Sequence, residues 1–281
     1  MLLQKSHQPN RGRPPELEED DLVRGIVYHV LQSSGILSEH VLQLTGKGMF
    51  DGSLSERRQA MGQDPWTKML KVACAVRADP KIHPHAFYKG MRLLGVDGTT
   101  CNIANTPQVK GCAQKTNTRK GKSAFYRISV AALYELGIHN PIGVRIGIQK
   151  ESEMELAREV IVDIPAGCIL LGDRYYGVGK YVAGLSALES HPAFIVRVRN
   201  GLKPKHQRWL RDGSRMVKVW DPEVKEYFLL REIRAKVRRA GSKLWTSVRL
   251  WTVLRDTTEY PTKELVELYA HDGSKKHPSR K

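Results

Sequence analysis

Two carboxylates stand out because each closes a short apolar run. Leu93-Leu94-Gly95-Val96 leads into Asp97 and then Gly98-Thr99-Thr100; Ile169-Leu170-Leu171-Gly172 leads into Asp173 and then Arg174-Tyr175-Tyr176-Gly177. Short apolar runs bounded by glycine predict buried strands. An acid at the C-terminal end of such a strand is held on rigid backbone at the rim of a sheet, where α/β folds place their chemistry. Phosphodiester cleavage or exchange needs an activated attacking oxygen and a stabilised leaving oxygen, and carboxylate-held divalent metals serve both needs. Hard oxygen ligands favour Mg2+ or Mn2+. Asp97 and Asp173 are therefore the candidate catalytic and metal-binding residues. Singly, an Asp-Gly is more often a turn and an Asp-Arg a surface ion pair; only the two together, in a basic chain, carry the reading.

Periodicity gives the strands and helices that hold these acids. After the Asp97 strand, Phe125–Leu136 and Ile142–Ile148 predict two strands joined by a turn at 137–141. Ser152, with Glu155 three residues on, predicts a capped helix over Glu153–Val162. The Asp173 strand, an amphipathic helix over Gly179–Ser190 and a strand over Ala193–Arg199 complete the series. Three meandering strands followed by alternating helix and strand predict an α/β, ribonuclease-H-like mixed sheet, in which the first and fourth strands are parallel neighbours. That step is an analogy between folds.

The flanks differ in kind. Residues 1–15, with Arg11-Gly12-Arg13-Pro14-Pro15, predict a disordered tail, and 16–79 a small helical unit. Helices are expected from Glu16 to a stop at Ser33-Ser34-Gly35, over Ser38–Leu44, over Glu56–Met61 capped by Ser53 or Ser55, and over Trp66–Val76. Beyond the 92–200 core, Met216–Trp220, Tyr227–Lys236 and Ser247–Arg255 predict an antiparallel β insertion spanning 201–258. A final helix is expected to start over 259–271, with 272–281 as an aberrant tail.

Charge points to the partner. The chain of 281 residues carries a net +17, which implies a polyanion such as nucleic acid through counterion release from phosphates. Residues 1–79 are neutral, 80–196 carry +5 and 197–281 carry +12. Lys110, Lys115, Arg119, Lys120 and Lys122 form a basic loop beside the proposed site, and Arg174 adjoins Asp173. Arg231, Arg234, Arg238 and Arg239 lie on the insertion among Trp220, Trp245 and Trp251. These basic residues are the candidate nucleic-acid contacts. The four cysteines show neither zinc nor disulfide spacing. With no signal segment and no apolar run near ~20 residues, a cytoplasmic, nucleoid-associated protein is expected, with no membrane partner.

With its motifs in this order, the chain resembles the bacterial insertion-sequence DDE transposases of the family named after insertion sequence four. The matching pieces are Val96-Asp97-Gly98-Thr99, Leu170-Leu171-Gly172-Asp173-Arg174-Tyr175-Tyr176-Gly177 and Tyr260-Pro261-Thr262-Lys263-Glu264-Leu265-Val266-Glu267-Leu268-Tyr269, preceded by Gly12-Arg13-Pro14-Pro15 and a helical unit ending near Trp66. The resemblance implies Mg2+-dependent cut-and-paste transposition, double-stranded DNA (element ends and target) as partner, and a homodimer in the DNA complex. It also implies an Arg three residues after Tyr269 and a catalytic Glu four beyond that. Those positions are Asp272 and Lys276. Glu267 would stand about 13.5 Å short of the expected place at 1.5 Å per helical residue. The expectation is thus a truncated or frameshifted transposase, defective for want of its third acid. The alternative is a catalytically dead DNA-binding remnant that occupies element ends or inhibits an intact relative. A small-molecule phosphatase reading fails because Gly95 stands where a second acid would be needed, and no single-strand RNA platform is recognisable.

Overall fold

Ile169, Leu170 and Leu171 are buried on both sides of their strand, and the elements around them follow from the need to cover both faces. The computed structural model describes residues 17–32, 34–115, 117–118, 121–147, 151–238 and 245–273. The chain divides into two compact units, Met1–Ala73 and Cys74–Lys281.

Among the described residues the first unit holds four helices: α1 (Glu19–Leu31), α2 (Leu37–Thr45), α3 (Asp51–Ala60) and α4 (Asp64–Ala73). Leu17, Leu22, Val41 and Leu54 form its core. Gly46 ends α2 at φ 71, a left-handed turn that glycine adopts without steric cost. Helix α3 begins at Asp51, so neither Ser53 nor Ser55 caps it; Phe50 stands at the cap and Asp51 in the first turn.

The second unit runs β1 (Phe87–Tyr88), β2 (Met91–Ile103), α5 (Pro107–Cys112), β3 (Asn117–Thr118), β4 (Gly121–Lys122), β5 (Tyr126–Glu135) and β6 (Asn140–Ile146). It continues with α6 (Glu153–Val160), β7 (Cys168–Gly172), α7 (Gly179–Ser186), β8 (Ala193–Arg197), β9 (Lys205–Trp209), β10 (Arg215–Asp221), β11 (Glu226–Arg238), β12 (Trp245–Thr252) and α8 (Thr262–Gly273). One sheet runs β6-β5-β2-β7-β8-β12-β11-β10-β9. β2, β5 and β6 are antiparallel, and β7 and β8 are parallel beside β2. This is the ribonuclease-H-like order, with the antiparallel β9–β12 extending the same sheet. Among the described residues no helix is long and apolar enough to cross a membrane.

Alternation along the strands sorts the core. Leu94, Val96, Leu170, Phe194 and Val196 pack with Leu156, Val160 and Val182 of α6 and α7. Leu93, Ile169, Leu171 and Ile195 face the other way, against Leu265 of α8. The capping box predicted at Ser152 is present, Ser152 Oγ accepting from Glu155 N and Glu155 from Ser152 N.

In the insertion, buried Glu232 accepts hydrogen bonds from Arg215, Arg234 and Arg249 and from Trp251 Nε1. Burial alone would raise its carboxyl, but the Arg249, Arg234 and Arg215 hydrogen bonds outweigh that and hold it at about 2, below the ordinary 4.5. A carboxylate depressed on folding contributes stability that is fully present above its unfolded pKa and is lost as pH falls through the folded one. The stability difference between wild type and Glu232→Gln should therefore shrink by about 2 kcal/mol between about pH 5 and pH 3, read by urea unfolding. A difference independent of pH there would deny Glu232 its charge.

Candidate active site

The first acid sits inside β2. That strand pairs with β5 as far as Ile103↔Tyr126, so it does not end at Asp97 as its apolar run suggested. Its pairing with β7 does end there, the last pair being Gly95↔Leu171. β7 stops at Gly172, and the sheet opens between the two strands where both acids stand. Asp97 and Asp173 each lie two residues beyond the last pair and so stand at corresponding positions past the point where the two neighbouring strands part. By alternation Asp97 shares the face of Leu93, the side covered by α8.

Both carboxylates are oriented by backbone. Gly98 N donates to Asp97 Oδ1 at 3.0 Å, and Tyr175 N donates to Asp173 Oδ1 at 2.7 Å. Asp97 is exposed and Asp173 half-buried. On α8, which packs on this face through Leu265, burial pushes the Tyr269 phenol up to about 12, with the Arg197 charge lowering and the Asp173 charge raising it. Gly177 lets the turn after Asp173 lie against β8, since a Cβ there would stand 1.9 Å from the Arg197 carbonyl oxygen. Gly177→Ala should cost at least about 2 kcal/mol of stability through that overlap; an unchanged unfolding midpoint would mean the turn can retreat.

The other face carries a residue that sequence reasoning used only as helix sequence. Glu153, in the first turn of α6, lies over the backbone beside Asp97: a Cβ on Gly98 would meet its carboxyl carbon at 2.2 Å. Buried Tyr176 donates its hydroxyl to Glu153 Oε1 at 2.8 Å. Burial, the Glu153 bond and charge, and the nearby Asp97 charge all raise the Tyr176 phenol. Only the apolar periodicity around Glu153, which sets α6 against the sheet, hinted that its first turn would reach the strand ends.

The residues present suit a divalent cation by type, two hard carboxylates on rigid backbone with solvent access. Among the described residues no group of three or more His, Cys, Asp or Glu side chains could hold a metal. The fit is that of a two-carboxylate site, with the remaining positions left to water or phosphate oxygens.

The predicted basic contacts divide. Lys110 on α5, Lys122 on β4 and Arg174 are exposed, and Lys115 lies with its ammonium 5.1 Å from the Tyr126 ring centre. Arg119, Lys120 and Arg239 lie outside the described residues; Arg238 ends β11, its side chain not described. Arg234 is 57% exposed while bound to Glu232. Arg231 corrects the expectation. It is fully buried, and its five donors meet Ser214 Oγ, the Leu254 and Tyr260 carbonyls, Thr262 Oγ1 and Asp212. It ties the insertion to the start of α8 and presents nothing to DNA. Conversely, β9 was not foreseen: Lys205, His206, Gln207, Arg208 and Trp209 form a wholly exposed edge strand.

Residues 88–271 match the family described as Transposase DDE domain, a span that takes in both acids and α8 as far as His271. The chain belongs to this family. It is also similar to "Transposase InsG for insertion sequence element IS4" of Escherichia coli (strain K12), 26% identical over 221 residues. That stretch covers 77% of this chain and 49% of the relative, so the chain spans about half that transposase's length. A solved structure, "Cryo-EM structure of piggyBac transposase synaptic complex with hairpin DNA (SNHP)", aligns over 97% of this chain and 60% of that one, at 11% identity and a TM-score of 0.40.

Proposed function

We propose that this chain is a DNA transposase of the DDE class whose metal centre is built on Asp97 and Asp173, and that the 281-residue chain by itself does not complete strand transfer. The observation that carries the first part is the corresponding placement of the two acids where β2 and β7 part. Mg2+ or Mn2+ bound there would polarise the phosphodiester and activate the attacking oxygen. The backbone amides of Gly98 and Tyr175 keep the carboxylates oriented before any ligand arrives. Lys110, Lys115, Lys122 and Arg174, on the segments after each acid, would neutralise and position a DNA backbone, as would Arg119 and Lys120 in the same loop. Arg234, Arg238 and Arg239 would extend that contact along the insertion. A homodimer on paired element ends, acting in the cytoplasm beside the nucleoid, completes the reading.

The second part rests on Lys276, which stands where the family spacing from Tyr269 places the third acid. A lysine in place of that acid supplies no ligand for a metal ion, and this favours occupancy of element ends without turnover. The test is strand transfer by the purified protein with Mg2+ and its own element's ends, alongside a binding assay at several salt concentrations. Salt-dependent binding with no joined product is expected. Joined product that disappears in Asp97→Ala would overturn the defect and leave the family reading standing.

A further inference from the structure

We propose that Glu153 is a positioning residue of the Asp97–Asp173 centre, acting through its hydrogen bond from Tyr176 to fix the distance between the two acid-bearing strand ends. This rests on the metal-centre reading above. β2 and β7 lose their mutual hydrogen bonds after Gly95↔Leu171, so ladder pairing does not set the spacing of the residues beyond that pair. A separate connection does. Tyr176 belongs to the turn after Asp173, its amide bonded to the Asp173 carbonyl at 3.2 Å. Its hydroxyl donates to Glu153 Oε1 at 2.8 Å. The Glu153 carboxyl in turn rests on the α-carbon of Gly98, where no larger residue leaves it room. Gly98 N closes the chain of contacts on Asp97 Oδ1 at 3.0 Å. Thus one acid's turn grips the residue beside the other acid, and α6 supplies the bridge.

The parts are rigid enough for the task. Tyr176 and Tyr181 are fully buried with ring centres 5.1 Å apart, and α6 is fixed by Leu156, Ala157 and Val160 in the core. A bridging acceptor is what the geometry requires of residue 153, and a glutamine oxygen would serve as well as a carboxylate.

The experiment titrates the 281-residue chain with Mn2+, following free Mn2+ by electron paramagnetic resonance, with thermal unfolding in parallel. Glu153→Ala and Tyr176→Phe should each weaken Mn2+ binding about tenfold, in line with other orienting partners of metal ligands. Glu153→Gln should bind within about twofold of wild type, because it keeps the acceptor. Leu156→Ala, a packing change on the same helix, should lower the unfolding midpoint and leave Mn2+ affinity in place. If Glu153→Gln binds as weakly as Glu153→Ala, the charge matters rather than the bridge, and the proposal falls. It falls too if Glu153→Ala binds like wild type while Asp97→Asn does not, a result that spares the metal centre. Wild-type protein that binds no Mn2+ would overturn both.

Discussion

Arg231→Ala should lower the stability of the Cys74–Lys281 unit by about 3–5 kcal/mol, the cost of breaking a buried ion pair by removing one partner. Every N–H of this guanidinium has an acceptor. Its deletion leaves the Leu254 and Tyr260 carbonyls short of a donor and Asp212 without its cation. Burial would raise the Asp212 carboxyl, yet hydrogen bonds from Ser214 and Thr262 and the Arg231 charge hold it at about 2. The same carboxylate accepts from Thr262 N at 3.2 Å, at the first residue of α8. The loss is therefore felt at the start of α8, the helix that packs on the face carrying Asp97. Arg231→Lys should recover less than half, because one ammonium cannot replace a planar five-donor fork. Chemical denaturation reads both variants. An Arg231→Ala protein within about 0.5 kcal/mol of wild type, the range of ordinary surface changes, would contradict this structural role.

Asp97→Asn should weaken Mn2+ binding at least about 100-fold, beyond what loss of an orienting partner costs, while changing stability little. The reason is local. Asp97 is exposed, and its one described hydrogen bond, from Gly98 N, is kept by an asparagine oxygen. What asparagine lacks is the charge that a divalent cation needs from a site with only two acids. Asp173→Asn should behave alike. The double variant should bind within about tenfold of the weaker-binding single one if both acids serve one ion, since groups acting on one ligand are not additive. Two separate weak sites would show instead as single variants that each lose one of two bound Mn2+ ions and leave the other ion's affinity unchanged.

The position of Asp97 and Asp173 beside the point where two central strands part was legible because each is a lone charge closing an apolar run, and because such runs become central strands. The strand order was legible from the sequence of elements, but how far β2 extends was not. Its second half, Gly98–Ile103, is polar and held by one neighbour, β5, so no burial pattern marks it. Arg231 looked like one more cation on a basic strand; its partner Asp212 belongs to a turn 19 residues away, and only the fold brings them together. Lys205–Trp209 offers a single large apolar residue and becomes a strand solely by pairing with β10. Glu153 entered only as the first residue of a capped helix, a place where acids are common, and nothing local distinguishes it from Glu155, which does serve the cap.

One cation shared between Asp97 and Asp173 is the central claim. Anomalous diffraction from crystals of the protein soaked in Mn2+ reads this directly. A single peak within coordination distance of both carboxylates, about 2.0–2.3 Å, is the predicted result. Peaks beside only one of them, or Mn2+ bound elsewhere with the two acids turned apart, would contradict it.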